Sequence, residues 1–262
     1  MKVGTDGVLL GVWAPIANQT GNKQSPMSNE QSPLTNILDI GTGSGLIALM
    51  LAQRCPSAHI DAIDIDAEAV AQAKENFADS VFRLQLSAFQ SRLQDWQIVN
   101  DKWSDSKCVN GKWSNGKLYD LIVSNPPYFQ NSLKNPDPGR KTARHTDSLS
   151  FEELIAHTVR LLAENGVFAL ILPAEAEEEI RTIASAAGLQ LVRVTRVYSK
   201  ESKPARRVLL AFCRQPSALS HQFSAVNHQP SAVSPIEESL VLEDEIGGRS
   251  AAYSKLCEEF YL

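Results

Sequence analysis

The chain has 262 residues, 43% hydrophobic and 21% charged, with a formal net charge of −5. That composition excludes a disordered polymer, a collagen and a coiled coil, and the length suits one large domain or two small ones. The apolar runs are too short to span a bilayer, no signal-peptide segment follows Met1, and the four cysteines (Cys55, Cys108, Cys213, Cys257) form no CxxC pair, so a reducing, cytoplasmic setting is expected.

Three stretches stand apart. Residues 18–34 repeat QSP, 97–117 repeat KWS and 215–235 repeat QPSA. Each is polar and locally self-similar, with a period far too short for a solenoid, and reads as a flexible insertion. The Asn110-Gly111 and Asn115-Gly116 pairs leave an ordered hairpin as the alternative for the second.

Between the insertions the pattern predicts a strand at 37–40, a helix at 44–54 opening just after glycines, and a strand at 58–64. A helix at 66–77 follows, capped by Asp66. A third strand is expected at 81–86 and a fourth at 118–124. Ser150, Glu152 and Glu153 open a helix at 151–163 in the manner of a capping box. A buried strand at 166–172 ends at Pro173, and a helix at 174–187 stops at Gly188. Strands at 189–197 and 207–212 close the series.

Alternating strands and helices imply one α/β domain with a doubly wound, mostly parallel sheet covered on both faces. The core spans 35–214, with 1–17 ahead of it and 236–262 as a C-terminal extension. The last two strands lack a crossover helix, so the terminal one runs antiparallel. This seven-stranded, Rossmann-like layout resembles the class I methyltransferases.

The segment Asp39-Ile40-Gly41-Thr42-Gly43-Ser44-Gly45 joins the first strand to its helix. Glycines there let backbone approach a ligand, at the strand ends where open α/β sheets bind. A dinucleotide site wants a further glycine where Leu46 stands, so a nucleoside without pyrophosphate fits better. Asp64, at the end of the second strand, can accept hydrogen bonds from both ribose hydroxyls, and Asp39 can face an ammonium group. Those parts match S-adenosylmethionine as cofactor, with Asp39, Gly41, Thr42, Gly43, Gly45 and Asp64 as its contacts.

Asn125-Pro126-Pro127-Tyr128 follows the fourth strand. Two prolines hold the chain extended and remove two N–H donors, leaving the Asn125 side-chain oxygen and the Pro126 carbonyl as acceptors. Tyr128 offers a ring on which a base can stack, a contact worth about 1–3 kcal/mol. This set grips an exocyclic amine and orients its lone pair for in-line displacement at a sulfonium methyl, a rate gained by positioning. No metal is needed. The combination resembles the amino-methyltransferases of adenine N6, cytosine N4 and glutamine amides.

More of the chain resembles the bacterial tRNA-valine adenine-N6 methyltransferases, which modify the adenine next to the anticodon. The carriers are Met1-Lys2-Val3-Gly4-Thr5-Asp6-Gly7-Val8-Leu9-Leu10-Gly11, Ala143-Arg144-His145-Thr146, the late Arg207-Val208-Leu209-Leu210 and the closing Phe260-Tyr261-Leu262. The resemblance implies that residues 1–17 cover the cofactor, with Thr5 and Asp6 touching it, and that tRNA is the substrate. Members usually carry an acid after the third strand for the cofactor's adenine; 86–90 offers none, and Ser87 or Gln90 are the substitutes. Glutamine methylation of a peptide chain release factor and a catalytically silent RNA-binding module are the alternative functions.

Net acidity argues against an RNA partner, but its distribution does not. Residues 236–262 hold seven acids (Glu237, Glu238, Glu243, Asp244, Glu245, Glu258, Glu259) against Arg249 and Lys255, so the whole −5 lies there. Residues 193–207 hold six cations against Glu201, or +5. Lys134, Arg140, Lys141 and Arg144 after the Asn-Pro-Pro-Tyr loop, with Lys203, Arg206 and Arg207, are the candidate phosphate contacts. A basic edge near the site and an acidic tail turned elsewhere are expected, on a monomer that needs neither membrane nor metal.

Overall fold

The computed structural model describes residues 4–16, 34–96, 107–109, 112–114, 118–126, 149–215 and 234–260. Helix α1 (Thr5–Trp13) precedes β1 (Asn36–Ile40), α2 (Leu46–Arg54), β2 (His59–Asp64), α3 (Ala67–Asp79) and β3 (Leu86–Gln90). The short strands β4 (Lys107–Val109) and β5 (Lys112–Ser114) lead to β6 (Tyr119–Ser124), α4 (Phe151–Leu161) and β7 (Leu162–Pro173). Then come α5 (Glu177–Ala186), β8 (Leu189–Tyr198), β9 (Ala205–Arg214), β10 (Ile236–Val241) and α6 (Ala251–Leu256). Two helix starts carry the expected caps. Asp66 Oδ1 accepts from the Glu68 N–H at 2.9 Å. At α4, Ser150 and Glu153 exchange both bonds of a capping box.

The main sheet has eight strands in the order β3-β2-β1-β6-β7-β9-β8-β10. Strand β9 lies antiparallel between β7 and β8, and the other neighbours run parallel. The turn after β8 is too short for a crossover, so β9 has to run back. Neighbouring strand residues feed opposite cores. Ile37, Leu121 and Leu209 pack with α1, α2 and α3, while Leu38, Ile122 and Leu210 pack with α4 and α5. That alternation, apolar on both faces, is what a doubly covered sheet requires.

Three expectations change. The sheet has eight strands rather than seven, because part of the presumed C-terminal extension is β10, paired in parallel with β8. Since β9 descends, it ends at the edge where β10 begins, and a parallel partner for β8 needs no helix across the face. Second, the third strand starts at Leu86, not at 81. Helix α3 runs on to Asp79, so residues 80–85 must turn the chain; Val81 and Leu84 stand 85% and 87% exposed on that turn. Third, β4 and β5 pair antiparallel within 97–117, a pairing of the kind the hairpin alternative expects. The rest of that stretch and almost all of 18–34 and 215–235 lie outside the described residues.

Candidate active site

Strands β1 and β6 are neighbours from which the chain winds in opposite directions, and a doubly wound sheet opens its ligand crevice at such a point. Ile40 and Ser124 are in register at their ends, and the buried Ser124 hydroxyl donates to the Ile40 carbonyl at 3.0 Å. The glycine loop leaving β1 and the Asn125-Pro126 segment leaving β6 therefore emerge side by side.

The loop is held from three directions. Gly41 and Thr42 N–H groups both donate to the Ile63 carbonyl of β2, at 2.9 and 3.1 Å. Asp64 Oδ2 accepts from the Gly43 N–H at 2.8 Å, and Asn76 of α3 donates to the Ser44 carbonyl at 2.8 Å. Gly45 has φ +81°, and a Cβ there would lie 2.4 Å from the Phe77 ring, so this position excludes any side chain. Gly41 has φ +71°, yet a Cβ would meet nothing within 4 Å among the described residues. Open space lies over the loop at Gly41, while Gly45 is closed by packing.

Asp39 is fully buried beneath the loop. Its Oδ2 accepts from the Thr42 hydroxyl at 2.7 Å, whereas its Oδ1 has no hydrogen-bond partner among the described residues. Burial pushes the carboxyl up to about 7, with the Thr42 hydroxyl and the Ala48 backbone N–H acting the other way and the nearby Asp64 charge adding to the rise. A buried acceptor without a donor is costly, and an incoming ammonium group supplies one. Asp64 Oδ1 also accepts from Asp66 N–H at 3.0 Å. Next to it Ile65 is 52% exposed, with the Gln90 amide donating to its carbonyl at 3.3 Å. An apolar side chain exposed beside a carboxylate can carry the flat face of a nucleobase while the acid takes the ribose. Ile65 escaped the sequence reading; its signal was an isoleucine between two aspartates at a strand end. Of the substitutes for the missing acid, Ser87 lies inside β3 and Gln90 at its end, opposite Asp64.

Thr5 and Asp6 open α1. Gly7 of this turn sits over Leu46, the first residue of α2: a Cβ on Gly7 would come within 3.2 Å of the Leu46 side chain. The first turn thus lies next to the glycine loop. Asp6 is paired with Arg207 of β9 at 2.8 Å, so two residues expected to meet cofactor and RNA meet each other. Lys203 and Arg206 are exposed. Pro127, Tyr128, Lys134, Arg140, Lys141 and Arg144 lie outside the described residues.

The acidic tail is not turned elsewhere. Glu238 of β10 holds Arg193 at 2.9 Å, Glu237 holds Arg196 at 3.0 Å, and Glu243 stands 3.8 Å from Lys200. Two of the six cations in residues 193–207 are answered by β10 and a third by Glu243 beyond it. Arg196 is also bound by Glu177 at 2.6 Å.

An orphaned buried carboxylate oxygen, open space over Gly41 and an acid at the end of β2 fit S-adenosylmethionine. Asp39, Gly41, Gly43 and Asp64 would hold it, and when bound it supplies an electrophilic methyl group. The sheet and this site define a class I S-adenosylmethionine-dependent methyltransferase. The Methyltransferase small domain family matches residues 26–186. A predicted O-methyltransferase from Agrobacterium tumefaciens shares the fold, with TM-score 0.59 at 13% identity over 97% of this chain and 95% of that one. Curated relatives are more specific. The tRNA1(Val) (adenine(37)-N6)-methyltransferase of Bacteroides fragilis (strain YCH46) is 39% identical over 262 residues, 100% of this chain and 91% of the relative. The protein of the same name from Aeromonas hydrophila is 41% identical over 215 residues, 82% of this chain and 77% of the relative. The chain belongs to the tRNA1(Val) (adenine(37)-N6)-methyltransferase family.

Proposed function

We propose that the enzyme transfers the methyl group of S-adenosylmethionine to N6 of adenine 37 in tRNA1(Val), the reaction its relatives are named for. The observation that carries this reading is the placement of Asn125-Pro126 beside the glycine loop, pinned by the Ser124–Ile40 bond. Asn125 and the Pro126 carbonyl accept the two N6 hydrogens, Pro127 contributes no competing N–H donor, and Tyr128 stacks on the base. Thr42 orients Asp39, and Asp64 takes the ribose hydroxyls. Lys134, Arg140, Lys141, Arg144, Lys203 and Arg206 take phosphates. The protein acts as a monomer.

The test is incubation with labelled S-adenosylmethionine and unmodified tRNA, followed by nucleoside mass analysis. N6-methyladenosine at position 37 is the expected product. Label entering a release-factor peptide but not tRNA would overturn the reading, and no calorimetric binding of S-adenosylmethionine would leave a silent RNA-binding module. Reversing Arg140 and Lys141 to Glu should weaken tRNA binding while cofactor affinity holds.

A further inference from the structure

We propose that Arg207 is a positioning residue for the cofactor pocket: through its ion pair with Asp6 it clasps the first turn of α1 over the start of α2. The inference rests on S-adenosylmethionine binding at the glycine loop, not on the identity of the methyl acceptor.

The body of α1 is anchored independently of this pair. Residues from Gly7 to Trp13 are buried. The Arg54 guanidinium donates to the Gly11 and Ala14 carbonyls at 2.8 and 2.9 Å, at the helix end where a cation is favoured. The Trp13 indole donates to Thr195 at 2.8 Å. The first turn differs. Gly4 at the N-cap provides no side-chain cap, and Thr5 is exposed. Asp6 reaches from this turn to Arg207, and the Arg207 guanidinium is steadied by a second bond to the Arg206 carbonyl at 2.9 Å.

The pair also spans the crevice. Gly7 lies over Leu46 on the glycine-loop side. Arg207 is in register with Pro173, at the carboxyl end of β7 on the other side of the switch point. Asp6 and Arg207 are 201 positions apart, so their bond joins the turn to the far half of the sheet. An arginine spent on this contact is a poor phosphate ligand. Its removal frees the first turn to move away from the loop, and the lost closure appears in cofactor affinity. A half-exposed pair of this kind shifts such an equilibrium by up to about fivefold.

The experiment is calorimetric titration of the full chain with S-adenosylhomocysteine, together with hydrogen exchange of residues 5–9 and tRNA binding measured without cofactor. Arg207→Ala and Asp6→Ala are each expected to weaken S-adenosylhomocysteine binding by about three- to fivefold and speed exchange in the first turn, with tRNA affinity unchanged. Arg207→Lys keeps the charge and should retain most of the affinity. The exchanged pair Asp6→Arg with Arg207→Asp should recover part of what either single change loses. Wild-type cofactor affinity in Arg207→Ala would overturn the clasp, and so would weakened tRNA binding with intact cofactor binding. Failure of wild-type protein to bind the probe would overturn the cofactor assignment itself, a separate result.

Discussion

Arg193 donates to Glu238 at 2.9 Å, binding the most basic stretch of the chain to its acidic tail. The same Glu238 oxygen accepts from the Thr195 hydroxyl at 2.6 Å, and Thr195 in turn accepts from the Trp13 indole. The Arg193 guanidinium also lies 4.6 Å from the centre of the Trp13 ring. Burial works to raise the Glu238 carboxyl, but Thr195 and Arg193 outweigh it and hold it below the usual range. One small network therefore ties α1, β8 and β10 together.

Thr195→Val removes the hydroxyl at the centre of that network, taking from the Trp13 indole its 2.8 Å acceptor and from Glu238 a 2.6 Å donor. It should cost about 1–3 kcal/mol, read from urea unfolding, with cofactor affinity little changed. Stability equal to wild type would show that β10 is held by its backbone pairing alone.

Asp39 makes stability and cofactor binding depend on pH. Its folded pKa of about 7 lies above the 3.8 of an ordinary aspartate. Between those values the folded chain keeps a proton that the unfolded chain has lost, so the contribution is full below pH 4 and fades as pH rises to 7. The cofactor-free protein should lose stability against Asp39→Asn over that window. Cationic S-adenosylmethionine favours the anion, so binding near pH 6 should release a proton. Calorimetry in buffers of different ionisation enthalpy measures this, and buffer-independent heats would refute it.

Two glycines of one loop should behave differently. Gly45→Ala adds a clash with Phe77 to a left-handed backbone, and should destabilise by about 2–4 kcal/mol. Gly41→Ala meets open space, so it should cost only about 1 kcal/mol of backbone strain yet weaken S-adenosylmethionine binding. Thermal melts and calorimetry on the pair check both. Unchanged affinity in Gly41→Ala would move the cofactor off this loop.

In the reaction proposed above Asn125 is one acceptor of the target amine, and Asn125→Ala removes it while leaving every residue of the glycine loop in place. Methyl transfer should fall at least about a hundredfold with cofactor binding retained. Single-turnover rates with saturating tRNA decide it, and an active variant would remove Asn125 from the chemistry.

The apolar runs ending at Ile40, Asp64 and Ser124, each followed by loop chemistry, were enough to place the α/β order and the glycine loop. Such signals are local: strand period, caps and left-handed glycines are properties of neighbouring residues. The third strand was misplaced because Val81, Phe82 and Leu84 mimic a strand while only geometry forces a turn there. Strand β10 escaped because an edge strand buries little; in Ile236–Val241 only Leu240 is buried. Charge behaved likewise. The sequence determined how many cations lie in 193–207 and how many acids follow 236. Only the folded chain decided that Glu237, Glu238 and Glu243 stand against Arg196, Arg193 and Lys200, and that Asp6 stands against Arg207. Ion pairs depend on distance in space, and the sheet order that sets those distances is a property of the whole chain.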